Sequence, residues 1–99
     1  MVSGTYHAQV NTPIGTKEGT LTLKQQGEVL SGSLHVLGGD TPIQNGTIDM
    51  EGNLSFSGTL QVPFIGALPF TFEGRHEGDS ISGTAVTRMG AIEISGTRV

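Results

Sequence analysis

Apolar side chains fall two residues apart along nearly the whole chain: Tyr6, Ala8, Val10; Leu21, Leu23; Leu30, Leu34, Val36; Ile48, Met50; Leu54, Phe56, Leu60, Val62; Leu68, Phe70, Phe72; Ile81, Ala85; and Ile92, Ile94. A period of two describes a strand buried on one face, and no stretch carries helical spacing. Positions of the opposite parity are polar or β-tolerant, as in Thr20, Thr22 and Lys24 or Ser55, Ser57, Thr59 and Gln61. One face is therefore core and the other meets water.

A second pattern runs through the first. Eight times a glycine follows a polar residue, at Gly4, Gly19, Gly32, Gly46, Gly58, Gly74, Gly83 and Gly96, and in every case but Gly74 the next residue is Ser or Thr. Each glycine shares the parity of its own strand's apolar set, which predicts eight strands, each with an inward glycine. Gln25 to Glu28, Glu51 to Asn53, Glu77 to Asp79 and Met89 with Gly90 supply the glycine that tight hairpins need, so the strands follow one another as an up-and-down meander. Counting back from these turns sets Gly83 opposite Gly96, Gly74 opposite Gly83 and Gly46 opposite Gly58. Inward glycines let backbones bend and approach closely, as a small coiled barrel requires. Eight strands with an apolar inside close into an antiparallel β-barrel, whereas a flat glycine-rich meander with open edges would aggregate. Ile43 is out of phase with Gly46 and Ile48, which predicts a bulge near Gln44 and Asn45.

Alternate turns lie at opposite ends of such a barrel. One end collects the acidic turns and both termini. The other collects residues 11–15, 37–42, 62–69 and 89–91, and three of these four segments carry a proline followed closely by Ile or Phe. The chain thus reads as four imperfect copies of a two-strand unit. Apolar loop tips call for an explanation, since loops ordinarily sit in water. Ile14, Leu37, Phe64, Ile65 and Met89 either fold inward as a lid, rim the mouth of a cavity lined by residues such as Phe70 and Phe72, or form a patch for a partner.

Composition narrows the function classes. A length of 99 residues allows one domain with one modest core. Nine acidic against five basic residues, with no basic cluster, argues against nucleic acid as a partner. There is no cysteine, which excludes disulfides and thiol chemistry. The start lacks the charged and apolar segments of a signal peptide, and no apolar run approaches the roughly 20 residues of a membrane span, so a cytoplasmic protein with no membrane partner is expected. His7 and His35 have outward parity and His76 is inward beside a turn, so no metal site is expected, nor any cofactor. The many Ser and Thr are strand residues without a Ser-His-acid arrangement, and an isomerase or cyclase would lack an acid-base pair. No catalytic residue is therefore assigned.

Tyr6 lies near the start of the first strand and Arg98 near the end of the last, and closure of the barrel must bring these strands together. An arginine stacked over the ring would seal the polar end. Gly4-Thr5-Tyr6 together with Arg98 resembles the calycins, the lipocalin, fatty-acid-binding and avidin-type barrels. There a Gly-X-Trp opens the first strand and a basic residue of the last strand covers the ring, with Tyr standing here for Trp. The runs Gly19 to Leu23 and Leu30 to Ser33 are further similar to small bacterial barrel domains sometimes fused to flavin oxidoreductases of the old-yellow-enzyme kind. What this resemblance implies is a closed barrel whose ligand enters at the end away from Tyr6 and Arg98. The expectation is a non-catalytic barrel taking a small apolar ligand through its apolar end. The alternative is an accessory module that docks another copy, a partner or a fused enzyme through the same end.

Overall fold

The computed structural model describes residues 2–12, 15–36 and 38–99; Ile14 and Leu37, two of the residues expected at the apolar end, lie outside them. Nine strands form a single sheet: β1 (Gly4–Thr12), β2 (Gly15–Gln26), β3 (Val29–Val36), β4 (Gly39–Pro42), β5 (Gln44–Ile48), β6 (Asn53–Val62), β7 (Gly66–Glu77), β8 (Ser80–Thr87) and β9 (Gly90–Arg98). Every pairing is antiparallel, and β1 pairs with both β2 and β9. β3 joins β2 on one side and β4 and β5 on the other. The remaining strands pair in sequence, so β4 and β5 share one stave and the sheet is a closed eight-stranded up-and-down barrel. No helix occurs among the described residues.

The break between β4 and β5 falls at Ile43, and the register shifts between Gln44 and Thr47, the bulge that the phase of Ile43 predicts. Asn45 takes a left-handed φ of 54° there, a conformation that asparagine tolerates better than most residues. Above the bulge the ladder is interrupted. β6 pairs with β5 no further than Ser57, so β4 and the upper part of β6 face each other across a seam, linked by the Thr41 hydroxyl donating to the Thr59 carbonyl at 3.4 Å.

Parity is obeyed along the strands, and 22 apolar residues form one core in which none is more than 9 % exposed. Phe56 stacks on Phe72 with centroids 4.8 Å apart and meets Phe70 edge-on at 6.2 Å, so three aromatic rings fill the middle of the barrel. Gly74 and Gly83 are directly opposed, as counted from the turn. A Cβ on Gly83 would overlap the Glu73 carbonyl oxygen and come within 2.5 Å of Gly74 Cα, so close backbone approach accounts for glycine here.

Three other expectations are corrected. Gly83 faces Ile94, and Gly96 faces Ile81, because the last hairpin turns at Arg88 and Met89 with Thr87 opposite Gly90. The Thr87 hydroxyl selects this turn, donating to the Gly90 carbonyl at 2.8 Å and accepting from the Met89 amide at 3.0 Å. Gly46 is not opposite Gly58, since Ile48 pairs with Leu54 and the turn between them runs from Asp49 to Asn53. Asp49 organises it by accepting from the backbone amides of Glu51 and Asn53, each at 2.9 Å, and Met50 consequently points into solvent instead of the core.

Candidate functional site

Two ends of unlike chemistry follow from the meander. At the polar end the Arg98 guanidinium carbon lies 5.1 Å from the centre of the Tyr6 ring, and the two residues are paired across β1 and β9. Arg98 Nη1 donates to the Ser3 carbonyl at 2.6 Å and Nε to Asp79 Oδ1 at 3.1 Å. Tyr6 donates its hydroxyl proton to the Val2 carbonyl at 2.6 Å, while the Val2 amide donates to Gln25 Oε1. Val2, which no sequence pattern singles out, is thereby fixed at the hydroxyl end of the ring and fully buried. His76 meets Tyr6 edge-on at 6.4 Å. Its Nε2 is buried without a hydrogen-bond partner, and burial, then the positive charge of Arg98, depresses its pKa below the ordinary value of 6.5. Burial likewise raises the Tyr6 pKa, with Arg98 opposing. This end is a closed floor whose polar atoms are largely spent on one another.

At the opposite end the strands pair nearly to their tips among the described residues. Val36 pairs with Gly39, Val62 with Gly66 and Thr87 with Gly90, so residues 39–42 and 66–69 belong to strands. Thr12 pairs with Gly15 and donates its hydroxyl to that glycine's carbonyl at 2.7 Å, the brace seen again at Thr87. Of the residues expected here, Ile65 packs half-buried against the core, Met89 is half-exposed and Phe64 is fully exposed. Phe70 and Phe72 lie in the packed interior. They are 3 % and 0 % exposed, respectively.

Phe64 is held outward by its backbone. The Ile65 amide donates to the Val62 carbonyl at 3.1 Å, closing a β-turn with Pro63 second and Phe64 third. Phe64 has φ of 69°. Proline followed by positive φ is the pattern of a type II turn, whose third position calls for glycine or asparagine. A phenylalanine there bears a backbone strain of about 1 to 2 kcal/mol, and its side chain gains no burial in return.

The outer wall beside this turn departs from its polar rule. Ala67 and Pro69 on β7, Val86 on β8 and Ala91 on β9 are outward and exposed, and Val86 lies directly opposite Ala91. Pro69 is tolerated because alternation of the ladder aims its nitrogen toward Arg88, beyond the last bond between β7 and β8. The Arg88 guanidinium donates to the Ala67 carbonyl at 2.9 Å, satisfying an acceptor with no partner strand. Between these residues a shallow groove of about 410 Å³ runs over β6, β7 and β8, lined by Ser57, Thr59, Pro69, Val86 and Arg88. The sequence contains the signal for this corner, four apolar residues on the outward parity of neighbouring strands, although alternation alone does not draw attention to it.

His7 and His35 are exposed and pair with Glu18 and Asp40. Among the described residues no three of His, Cys, Asp or Glu converge as metal ligands. Fold and site together define a closed antiparallel barrel with a sealed polar floor and an exposed apolar corner at the other end. Compared with known proteins, the chain matches no family model and no curated protein sequence.

Proposed function

We propose that this barrel is a non-catalytic docking module that holds a protein partner against its apolar end, with Phe64 as the anchor. The observation that carries this reading is the cost of Phe64. It occupies a turn position built for glycine and exposes its whole ring, so nothing in the fold repays its presence. Aromatic residues in that situation act as interface anchors. The exposed side chains of Met89, Val86, Pro69 and Ala91 extend the same surface down the wall. A calycin-type barrel of the kind fused to flavin oxidoreductases would use such an end to sit against its enzyme. Entry of a small apolar ligand finds no supporting observation, because the side chains expected to line a cavity are packed against one another.

The test separates anchor from lid. Phe64→Gly is expected to leave stability unchanged or raise it by up to about 1 kcal/mol, since it relieves the left-handed strain. If Phe64 were a core lid, truncation would instead cost about 3 to 5 kcal/mol in urea denaturation. A photo-crosslinking phenylalanine analogue at position 64 should then give protein adducts of discrete mass in cells. The same analogue at Met50, equally exposed at the other end, should not. Adducts no stronger at 64 than at 50 would overturn the reading.

A further inference from the structure

We infer that the partner seated on this corner is a second copy of the chain, with each Phe64 inserted in the other's groove over β6, β7 and β8. This rests on the docking reading above and adds the identity of the occupant. The first observation is the placement of knob and hole. Phe64 sits in the turn joining β6 and β7, and the groove begins at the Thr59 and Pro69 pair of those same strands, three residues further down. At roughly 3.4 Å per residue the two are about 10 Å apart along the strands. A projecting side chain beside a recess of suitable character makes a surface complementary to itself, and a two-fold axis between them satisfies both contacts at once and closes the assembly. The recess suits a ring: Val86 and Pro69 give apolar walls, and the Arg88 guanidinium, fixed on the Ala67 carbonyl, stands at its rim where it can meet an aromatic face.

The second observation is area. Across its long axis the molecule measures 24 × 19 Å. An end of that size presents no more than about 460 Å² in projection, well short of the about 800 Å² per partner that a stable complex buries. A copy touching only the turn tips would not hold. Contact has to run down the wall, and the wall carries its cluster of outward apolar residues on the side where the groove lies.

Sedimentation equilibrium and native mass spectrometry of four samples decide the matter. The wild-type chain should be a dimer. Phe64→Gly removes the knob and Val86→Glu spoils the hole, and each should weaken association by about thirtyfold or more. Thr59→Lys, also outward on the groove wall, provides a second hole variant. Mixing Phe64→Gly with Val86→Glu restores one of the two contacts, so the mixture should form heterodimers of mixed mass where neither variant self-associates. The inference is overturned if the wild type remains a monomer at hundreds of micromolar, if both hole variants dimerise normally, or if the mixture stays monomeric. A monomeric wild type together with strong crosslinking from position 64 would sink the copy-to-copy contact alone. Loss of that crosslinking signal would sink the docking reading itself.

Discussion

The Arg98 guanidinium holds the face of Tyr6, the Ser3 carbonyl and the Asp79 carboxylate at once. Arg98→Ala should therefore cost about 2 kcal/mol of unfolding free energy, the sum of a partly buried cation–π contact and a charged hydrogen bond to backbone. Lysine at this position should recover part of it; an alanine variant as stable as wild type would show the floor to be dispensable. His76, against the same ring, gives the molecule a dependence on pH. Its folded pKa is depressed, so below about pH 6.5 the unfolded chain binds the proton more readily and stability falls as pH drops through that value toward the folded pKa. His76→Phe should flatten this slope in denaturation series, and a slope kept in the variant would assign it elsewhere. The Tyr6 and Arg98 contact was legible in the sequence because closure leaves the free edge of the first strand only that of the last to pair with. The burial of Val2 was not, since a single residue outside a strand belongs to no period.

At the scale of the strand, faces were legible and register was not. A slip of one residue turns every side chain inside out, but a slip of two keeps each on its own face, so the hydrophobic pattern is blind to it. That is the error at β8 and β9, where the Thr87 hydroxyl and not the glycine count fixes the turn. Close approach makes some glycines indispensable and leaves others free. Gly83→Ala should destabilise by about 1 to 3 kcal/mol or more, as a methyl there meets backbone on the neighbouring strand. Gly39→Ala, with nothing within 4 Å, should be neutral or stabilise by up to about 1 kcal/mol. Thermal melts of the two variants would expose an error in either direction. The seam between β4 and β6 predicts a third difference. Alternation aims the amides of Thr59 and Gln61 into it, so they should exchange with solvent far faster than those of Ser55 and Ser57, which face β5. Equal protection would mean that the seam is bridged.

Taken whole, the barrel carries two costs at one end and a network of hydrogen bonds around Tyr6 and Arg98 at the other. Alternation and turn glycines made its closure readable, and the acidic and apolar ends followed from the meander. Whether the inside was hollow could not be read, because some 20 inward side chains on short strands sit near the boundary between filling a barrel and lining one. The left-handed backbone of Phe64 was also hidden, since proline before phenylalanine fits several turns and only the bond from Ile65 to Val62 selects this one. Phe64→Gly is the variant that reads this scale most directly: a fold kept or improved, with association lost.

The joining of β1 to β9 has a consequence in time. Arg98 reaches Ser3 across 95 positions of sequence, and no earlier strand can take its place. A chain emerging from the ribosome therefore remains an open ribbon, with β1 and β8 each showing an unpaired edge, until β9 has been made. Contacts so distant in sequence form slowly, and bare edges meanwhile invite pairing between chains. Refolding yield should accordingly fall as protein concentration rises, and a chain truncated before Gly90 should aggregate instead of forming a seven-stranded monomer.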